Sequence, residues 1–306
     1  MVDFSALKNR SKGSLERLNA EVEKMKSGST SFVDDRIWKP TVDPSGNASA
    51  TIRFLPEAAV DGEDALPWVR LWSHGFQGTG GSWYIENSLT TIGKQDPVSE
   101  YNTKLWNTGL DSDKDIARDQ KRRLSHYSNI LVVDDPANPE NNGKVFLFRY
   151  GVKIFDKITE KTHPEFEEDE SFDPFDPWTG ADFKLRQRKY QGYPNFDKSF
   201  FTEQKKISVG GEEISDERIE EIWNSQYSLN EFIDPDGDNY KPYDELLAKL
   251  NRVVGFDTQG SGATKAPVAE ATADTDNVET LTPKTAETVD DDDDSLEYFQ
   301  QLANAD

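Results

Sequence analysis

The sequence predicts a mixed, β-rich core with helical insertions, carried between two charged arms of opposite sign. Three observations lead there. Strand-length apolar runs recur between Ala50 and Tyr190, with helix-period segments inserted among and after them. The hydrophobic share, counted with Gly and without Tyr, is roughly 37 %, below the roughly 45–50 % of typical globular domains, so the 306 residues are too polar to form one globule throughout. The charge is also uneven: the chain sums to -23, yet its basic residues gather in a few windows.

The N-terminal segment is basic. Lys8, Arg10, Lys12, Arg17, Lys24 and Lys26 outnumber the local acids, and Ser14 is a fitting N-cap for Leu15, Leu18, Val22 and Met25 at helical spacing. In the core, ATIRFLP (Ala50–Pro56) alternates Ile52 and Phe54 against Thr51 and Arg53, giving one buried and one exposed face. PWVRLWSHGF and SWYIE flank QGTGG, a hairpin loop. NILVVDDP and KVFLFRYG flank ANPENNG, a second turn, and ADFKLRQRKY is a further strand. Helices are expected at 98–107, 111–122, 214–225 and 243–254, the last stopped by Gly255. Five core strands with helical insertions permit a small Greek-key barrel of the OB type, although periodicity alone does not establish closure.

Beyond Phe256 the chain turns low in complexity and poor in large apolar residues, which predicts a disordered linker over 256–289. It ends in Asp290, Asp291, Asp292, Asp293 and Asp294, followed by Leu296, Tyr298 and Phe299, the pattern of a partner-binding tail. From Phe256 onward 13 acids face 2 bases, so nearly half of the net charge lies outside the core.

Cysteine is absent, which excludes disulfides, thiol catalysis and cysteine-ligated metal. No apolar run reaches the ~18–20 residues that span a bilayer, so a soluble, intracellular protein with no membrane partner is expected. The glycines of Gly78-Thr79-Gly80-Gly81 lack the Lys-Ser/Thr of a phosphate loop. Asp234, Asp236 and Asp238 put glycine at the wrong place for a calcium loop. No catalytic triad or carboxylate pair stands out, and no enzyme is expected.

The informative pattern is cations interleaved with aromatics. Lys121, Arg122 and Arg123 run into His126 and Tyr127; Phe148, Arg149 and Tyr150 sit together; Lys189 leads into a Gly/Pro loop with Tyr193 and Phe196. Bases of single-stranded nucleic acid stack on such rings while cations follow the phosphates. Trp68, Trp72, Trp83 and Phe54 fit strand interiors and are expected in the core. An acidic protein-interaction or assembly factor with no nucleic-acid ligand is the competing reading.

Ordered blocks then carry a family likeness. Ile52-Arg53-Phe54-Leu55-Pro56, His74-Gly75-Phe76 with Trp83-Tyr84-Ile85-Glu86, Asn129 to Val133 with Asp135-Pro136, Asn142 to Phe146 and Lys153 to Lys157 resemble the single-stranded DNA-binding proteins of T-even-type bacteriophages, the gene 32 helix-destabilising family. The resemblance implies a basic arm for cooperative self-association (1–30), an OB-fold core (31–255) and an acidic tail (290–306) that recruits replication and recombination proteins. It also implies the cytoplasm of an infected bacterium, and work in replication, recombination and repair. The DNA-contacting residues it implies are Arg53, Trp106, Lys121, Arg122, Arg123, Ser125, His126, Tyr127, Phe148, Arg149, Lys189, Tyr193 and Phe196, with Lys8, Arg10, Ser11 and Lys12 for self-association.

One departure is sharp. The family's founding members hold zinc with one His and three Cys after the position of His74, where this chain reads Asn87 to Ser99 without a thiol. No zinc and no other cofactor is therefore expected. The subdomain of about 68–108 must be held otherwise, with Leu89, Ile92 and Val98 as candidates.

Overall fold

The computed structural model describes residues 34–166 and 168–256. The basic arm with Lys8, Arg10, Ser11 and Lys12, the expected linker beyond Phe256 and the tail with Asp290–Asp294, Leu296, Tyr298 and Phe299 lie outside the described residues.

Nine strands form one sheet: β1 (Ile37–Trp38), β2 (Ala48–Phe54), β3 (Val69–Gln77), β4 (Trp83–Asn87), β5 (Arg123–Asp134), β6 (Val145–Tyr150), β7 (Ala181–Tyr190), β8 (Tyr193–Asn195) and β9 (Phe200–Gln204). A short hairpin of β10 (Ser208–Val209) and β11 (Glu212–Glu213) stands apart. Five helices complete the described part: α1 (Pro97–Asn107), α2 (Asp111–Asp119), α3 (Val152–Thr162), α4 (Asp216–Asn224) and α5 (Tyr243–Val254). The long strand β5 organises the sheet. Its first half pairs antiparallel with β3 (Val69 opposite Tyr127) and its second half with β2 (Phe54 opposite Ile130), while β6 runs along its other edge. The path β1-β6-β5-β2-β7-β8 does not return on itself, so the architecture is a mixed, β-rich one with an open sheet.

Alternation explains the main core. Ile52 and Phe54 of β2 meet Ile130 and Val132 of β5, Phe148 and Tyr150 of β6, and Phe183 and Leu185 of β7, all buried. Phe54 lies at its centre, with Phe148, Tyr150, Phe175, Phe183 and Phe201 between 5.5 and 6.3 Å away in edge or tilted contacts, geometries that add to simple burial. Helix α3 closes this core with Ile154 and Ile158, one turn apart.

A second cluster holds the segment around 68–108. Phe76 and Tyr84 stack at 5.1 Å, and Leu89 and Val98 pack with Leu246, Leu250 and Val253 of α5, with Ile92 at the edge. The hairpin between β3 and β4 comes so close to α5 that a Cβ on Gly78 would lie 1.9 Å from the Val253 carbonyl oxygen. Only glycine fits there, and QGTGG is thus a hairpin turn.

Four expected helices form close to their expected bounds. Asp96 caps α1 by accepting from the Ser99 amide at 2.9 Å, with Pro97 opening the helix. Gly255, at φ 89°, ends α5 in the left-handed conformation. Helix α2 stops at Asp119, so Lys121 and Arg122 form a connection and Arg123 already begins β5.

Candidate nucleic-acid interface

A cleft of about 1010 Å³ opens between the β3–β4 hairpin, the α2–β5 connection and the end of β6. Its wall carries Arg118, Lys121, Arg122, Arg123, Arg149 and Lys153 against two acids, Asp119 and Asp156. Trp72, Trp83, Tyr101 and Phe196 supply its partly exposed rings, over a floor of buried Phe76, Phe148 and Tyr150. The Arg122 guanidinium lies 4.3 Å from the centroid of Trp72, a cation–π contact between two residues of the cleft wall. Among the described residues neither Lys121 nor Arg122 forms an ion pair. Burial pushes the Asp156 carboxyl above its usual range, against the pull of Lys157.

A smaller recess of about 410 Å³ continues the cleft past Phe148, Arg149, Tyr150 and Gly151. It adds Trp38, Lys39, Pro40, Ser125, Lys189 and Tyr193, and its lining contains no acid. Ser125 accepts from Arg149 Nε at 3.0 Å and from Nη2 at 2.9 Å, which fixes the guanidinium plane where the two spaces join. The hairpin of β7 and β8 overhangs this junction. Gln191 sits there at φ 52° and Gly192 at φ 94°, so two successive left-handed residues make the tight turn. Within the expected Gly/Pro loop Gly192 is therefore a turn residue and Tyr193–Asn195 a strand, with Tyr193 opposite Tyr190.

The structure gathers most of the expected set here: Lys121, Arg122, Arg123, Arg149 and Phe196 in the cleft, and Ser125, Lys189 and Tyr193 in the recess, while Phe148 reaches the cleft floor only from within the core, 3 % exposed and packed on Trp38, Phe54 and Tyr150. Four residues stand elsewhere. Arg53 is fully buried and donates from Nη2 to the carbonyls of Asp176 at 2.6 Å and Lys205 at 3.1 Å, with Asp182 3.4 Å from Nη1. The outer face of β2 is covered by the segment after Asp173, so Arg53 is a structural ligand of that loop and cannot reach a phosphate. His126 is buried, stacked on Phe155 at 4.0 Å and on Tyr150 at 5.6 Å, and offers no free face. Burial, reinforced by Arg70, pushes its ring down to about 4. Tyr127 points to the opposite side of β5 and stacks on Phe232 at 4.7 Å. Trp106 is half exposed under Arg118, at 5.4 Å, away from the cleft lining.

Trp72 and Trp83 were expected in the core and instead line the cleft. Parity was the available signal, since Trp72 shares a face of β3 with exposed Arg70 and not with buried Leu71. Trp68 and Phe54 do pack in the core.

The zinc position can be tested directly. His74 is buried, its Nδ1 3.0 Å from the Gln120 carbonyl oxygen and its Nε2 3.1 Å from Asp96 Oδ1. Both nitrogens are directed at protein oxygens, so neither is turned toward a space where a metal could sit. No group of three His, Cys, Asp or Glu side chains among the described residues could hold an ion. The residues do not fit zinc.

An open sheet with a cationic, aromatic-lined groove defines a binding protein built to take an extended polyanion. The chain belongs to the family described as gp32 DNA binding protein like, which it matches over residues 46–254, a family of binders and not of enzymes. It is 38 % identical over 256 residues to the single-stranded DNA-binding protein of Enterobacteria phage T2, covering 81 % of this chain and 80 % of that one. It is 38 % identical over 246 residues to the single-stranded DNA-binding protein of Enterobacteria phage T4, covering 78 % and 76 %. A shorter match, 41 % over 85 residues, links it to the single-stranded DNA-binding protein of Escherichia phage SV14.

Proposed function

We propose that this protein binds single-stranded DNA and coats it cooperatively, with little sequence preference, in phage replication, recombination and repair. A strand in the groove sets phosphates against Lys121, Arg122, Arg123 and Arg149, and stacks bases on the rings between them. The observation that carries this reading is the Arg122–Trp72 pair on the wall of a cleft lined by six cations and two acids. In this reading the core is an opened variant of the OB fold, and the basic arm (Lys8, Arg10, Ser11, Lys12) docks on the neighbouring molecule along the strand. The tail gates the cleft, is displaced by DNA, and then recruits replication and recombination proteins. What supports the gate is the course of the described chain: Val254 lines the cleft and Phe256 packs on Tyr101, 5.7 Å away, so the segment that leads toward Asp290 departs from the cleft's wall. The setting is the cytoplasm of an infected bacterium, and no zinc takes part.

The test is a titration with oligo-dT across a salt series. Trp72 and Trp83 line the cleft, so tryptophan emission should be quenched by stacking. The affinity should fall linearly in log–log form as salt rises, because bound strands release counterions. Unchanged emission and anisotropy at low salt would overturn the DNA reading in favour of an acidic protein-binding factor.

A further inference from the structure

The hydrogen bonds around His74 do more than fill a metal-free space. Asp96, buried at the start of α1, accepts from Ser88 Oγ at 2.9 Å, the Leu89 amide at 3.1 Å and the Ser99 amide at 2.9 Å, and faces His74 Nε2. Burial alone would raise this carboxyl. The His74 ring and these donors instead hold it well below the usual carboxylate range. Four segments distant in sequence therefore meet at one carboxylate–imidazole pair: β3, the turn at 88–92, α1 and the residue before the basic run.

That last link sets the pair's consequence. The Gln120 carbonyl belongs to the peptide group that leads into Lys121, and it accepts twice, from His74 Nδ1 at 3.0 Å and from Asn102 Nδ2 at 3.1 Å. Two donors on one carbonyl oxygen fix the plane of that peptide. They thereby fix the direction in which Lys121, Arg122 and Arg123 leave the helix end. The partner of Arg122 is held from the same side: the Trp72 amide donates to Thr91 Oγ1 at 2.8 Å, within the turn that Asp96 anchors. Both members of the Arg122–Trp72 pair are thus tied to one buried hub.

We infer that His74, Asp96 and Asn102 are positioning residues for nucleic-acid binding: a metal-independent clamp that presents the Lys121–Arg123 run to the phosphates. The inference rests on the single-stranded DNA reading. It gives the chain a way to do with a hydrogen-bonded pair what a metal ion does elsewhere, locking loops that lack a large core of their own.

The experiment compares Asp96→Asn and Asn102→Ala with Val98→Ala, a change in the same subdomain that is buried but makes none of these bonds. Each variant of the full chain is measured for thermal stability, amide exchange at residues 121–124, and oligo-dT affinity across salt. Asp96→Asn should raise exchange at 121–124 and weaken oligo-dT binding about tenfold, comparable to one charge-assisted hydrogen bond, with a shallower salt slope. Asn102→Ala leaves the His74–Asp96 pair intact, and should act in the same direction but less. Val98→Ala should lower stability while leaving exchange at 121–124 and affinity as they were. EDTA should change nothing in the unmodified protein. Loss of affinity in Val98→Ala that tracks its loss of stability would reduce the clamp to general stabilisation, and loss with EDTA restored by zinc would return the site to a metal. If the unmodified protein fails to bind oligo-dT, the functional reading falls, and the exchange data still decide whether the hub orders 121–124.

Discussion

Replacing Arg53 with methionine separates a buried structural arginine from a phosphate ligand. Methionine keeps most of the unbranched stem, so the apolar part of this fully buried side chain is largely preserved. The loss is polar. Two carbonyl oxygens, of Asp176 and Lys205, lose a charged donor, and hydrogen bonds to charged groups contribute about 1.5–3 kcal/mol each. Asp182 is not stranded, because Lys205 Nζ stays 2.7 Å from its other oxygen. That second partner keeps the total near the usual range for breaking a buried pair, about 3–5 kcal/mol, or roughly 6–20 °C in melting temperature for a domain of this size. Urea unfolding followed by far-ultraviolet circular dichroism gives the stability, and oligo-dT anisotropy well below the midpoint gives the affinity of the folded protein. Stability should fall by that amount with an unchanged denaturant slope, and affinity should stay within twofold. An Arg53→Met protein as stable as its parent but weakened on oligo-dT would refute the assignment.

Other outcomes follow from the cleft and the core. Trp72→Leu should lower oligo-dT affinity by about 1–3 kcal/mol, the contribution of one stacked base, and Lys121→Ala should reduce the log–log salt slope by about 0.7; anisotropy of a labelled oligonucleotide reads both. His126 gives a pH dependence. Its ring is held neutral in the fold, down to about 4, whereas the unfolded chain takes the proton near 6.5. The unfolded state therefore binds more protons between these values, and stability should fall by at most about 3 kcal/mol as pH drops from 6.5 to 4. Melting temperatures at pH 7, 5.5 and 4.5 should show this, with His126→Phe flattening the trend; a flat trend in the parent would contradict the burial argument. Asp96 acts in a lower window, since its stabilisation is present above the ordinary carboxylate range and lost as acid protonates it. Deleting residues 290–306 should tighten oligo-dT binding at low salt, and weaker binding would end the gating proposal.

Much of the core was legible because single strands kept strict alternation. Ile52 and Phe54 announce the inner face of β2, and the helix expected at 98–107 is α1. The failures have physical causes. Helix α3 opens at Gly151 with no side-chain cap, so its start carried no cue, and Ile154 and Ile158 alone were too few to set a period. Arg53 sits on the polar parity of β2 and was therefore expected outside, but the loop after Asp173 covers that face too. Alternation reports which residues share a side, and cannot report what lies against it. The same limit placed His126 in the cleft, whereas for Trp72 the parity shared with exposed Arg70 was there to be read. The basic run was legible as chemistry, while its bearing on Gln120 depended on His74, 46 residues away, a separation no local pattern spans.

One strand pairing bears on the groove's direction. Strand β1 lies parallel to β6, with Trp38 opposite Phe148, which brings the incoming chain to the recess, while the outgoing chain leaves past Val254 at the far side of the cleft. The two ends of the groove are thus marked by different ends of the polypeptide. A polymer with chemically distinct termini that seats in one orientation would always meet the entry at one terminus and the exit at the other. Molecules lined up on it would then all face the same way, each entry turned toward its neighbour's exit. The array would have a head and a tail, and growth could differ at the two.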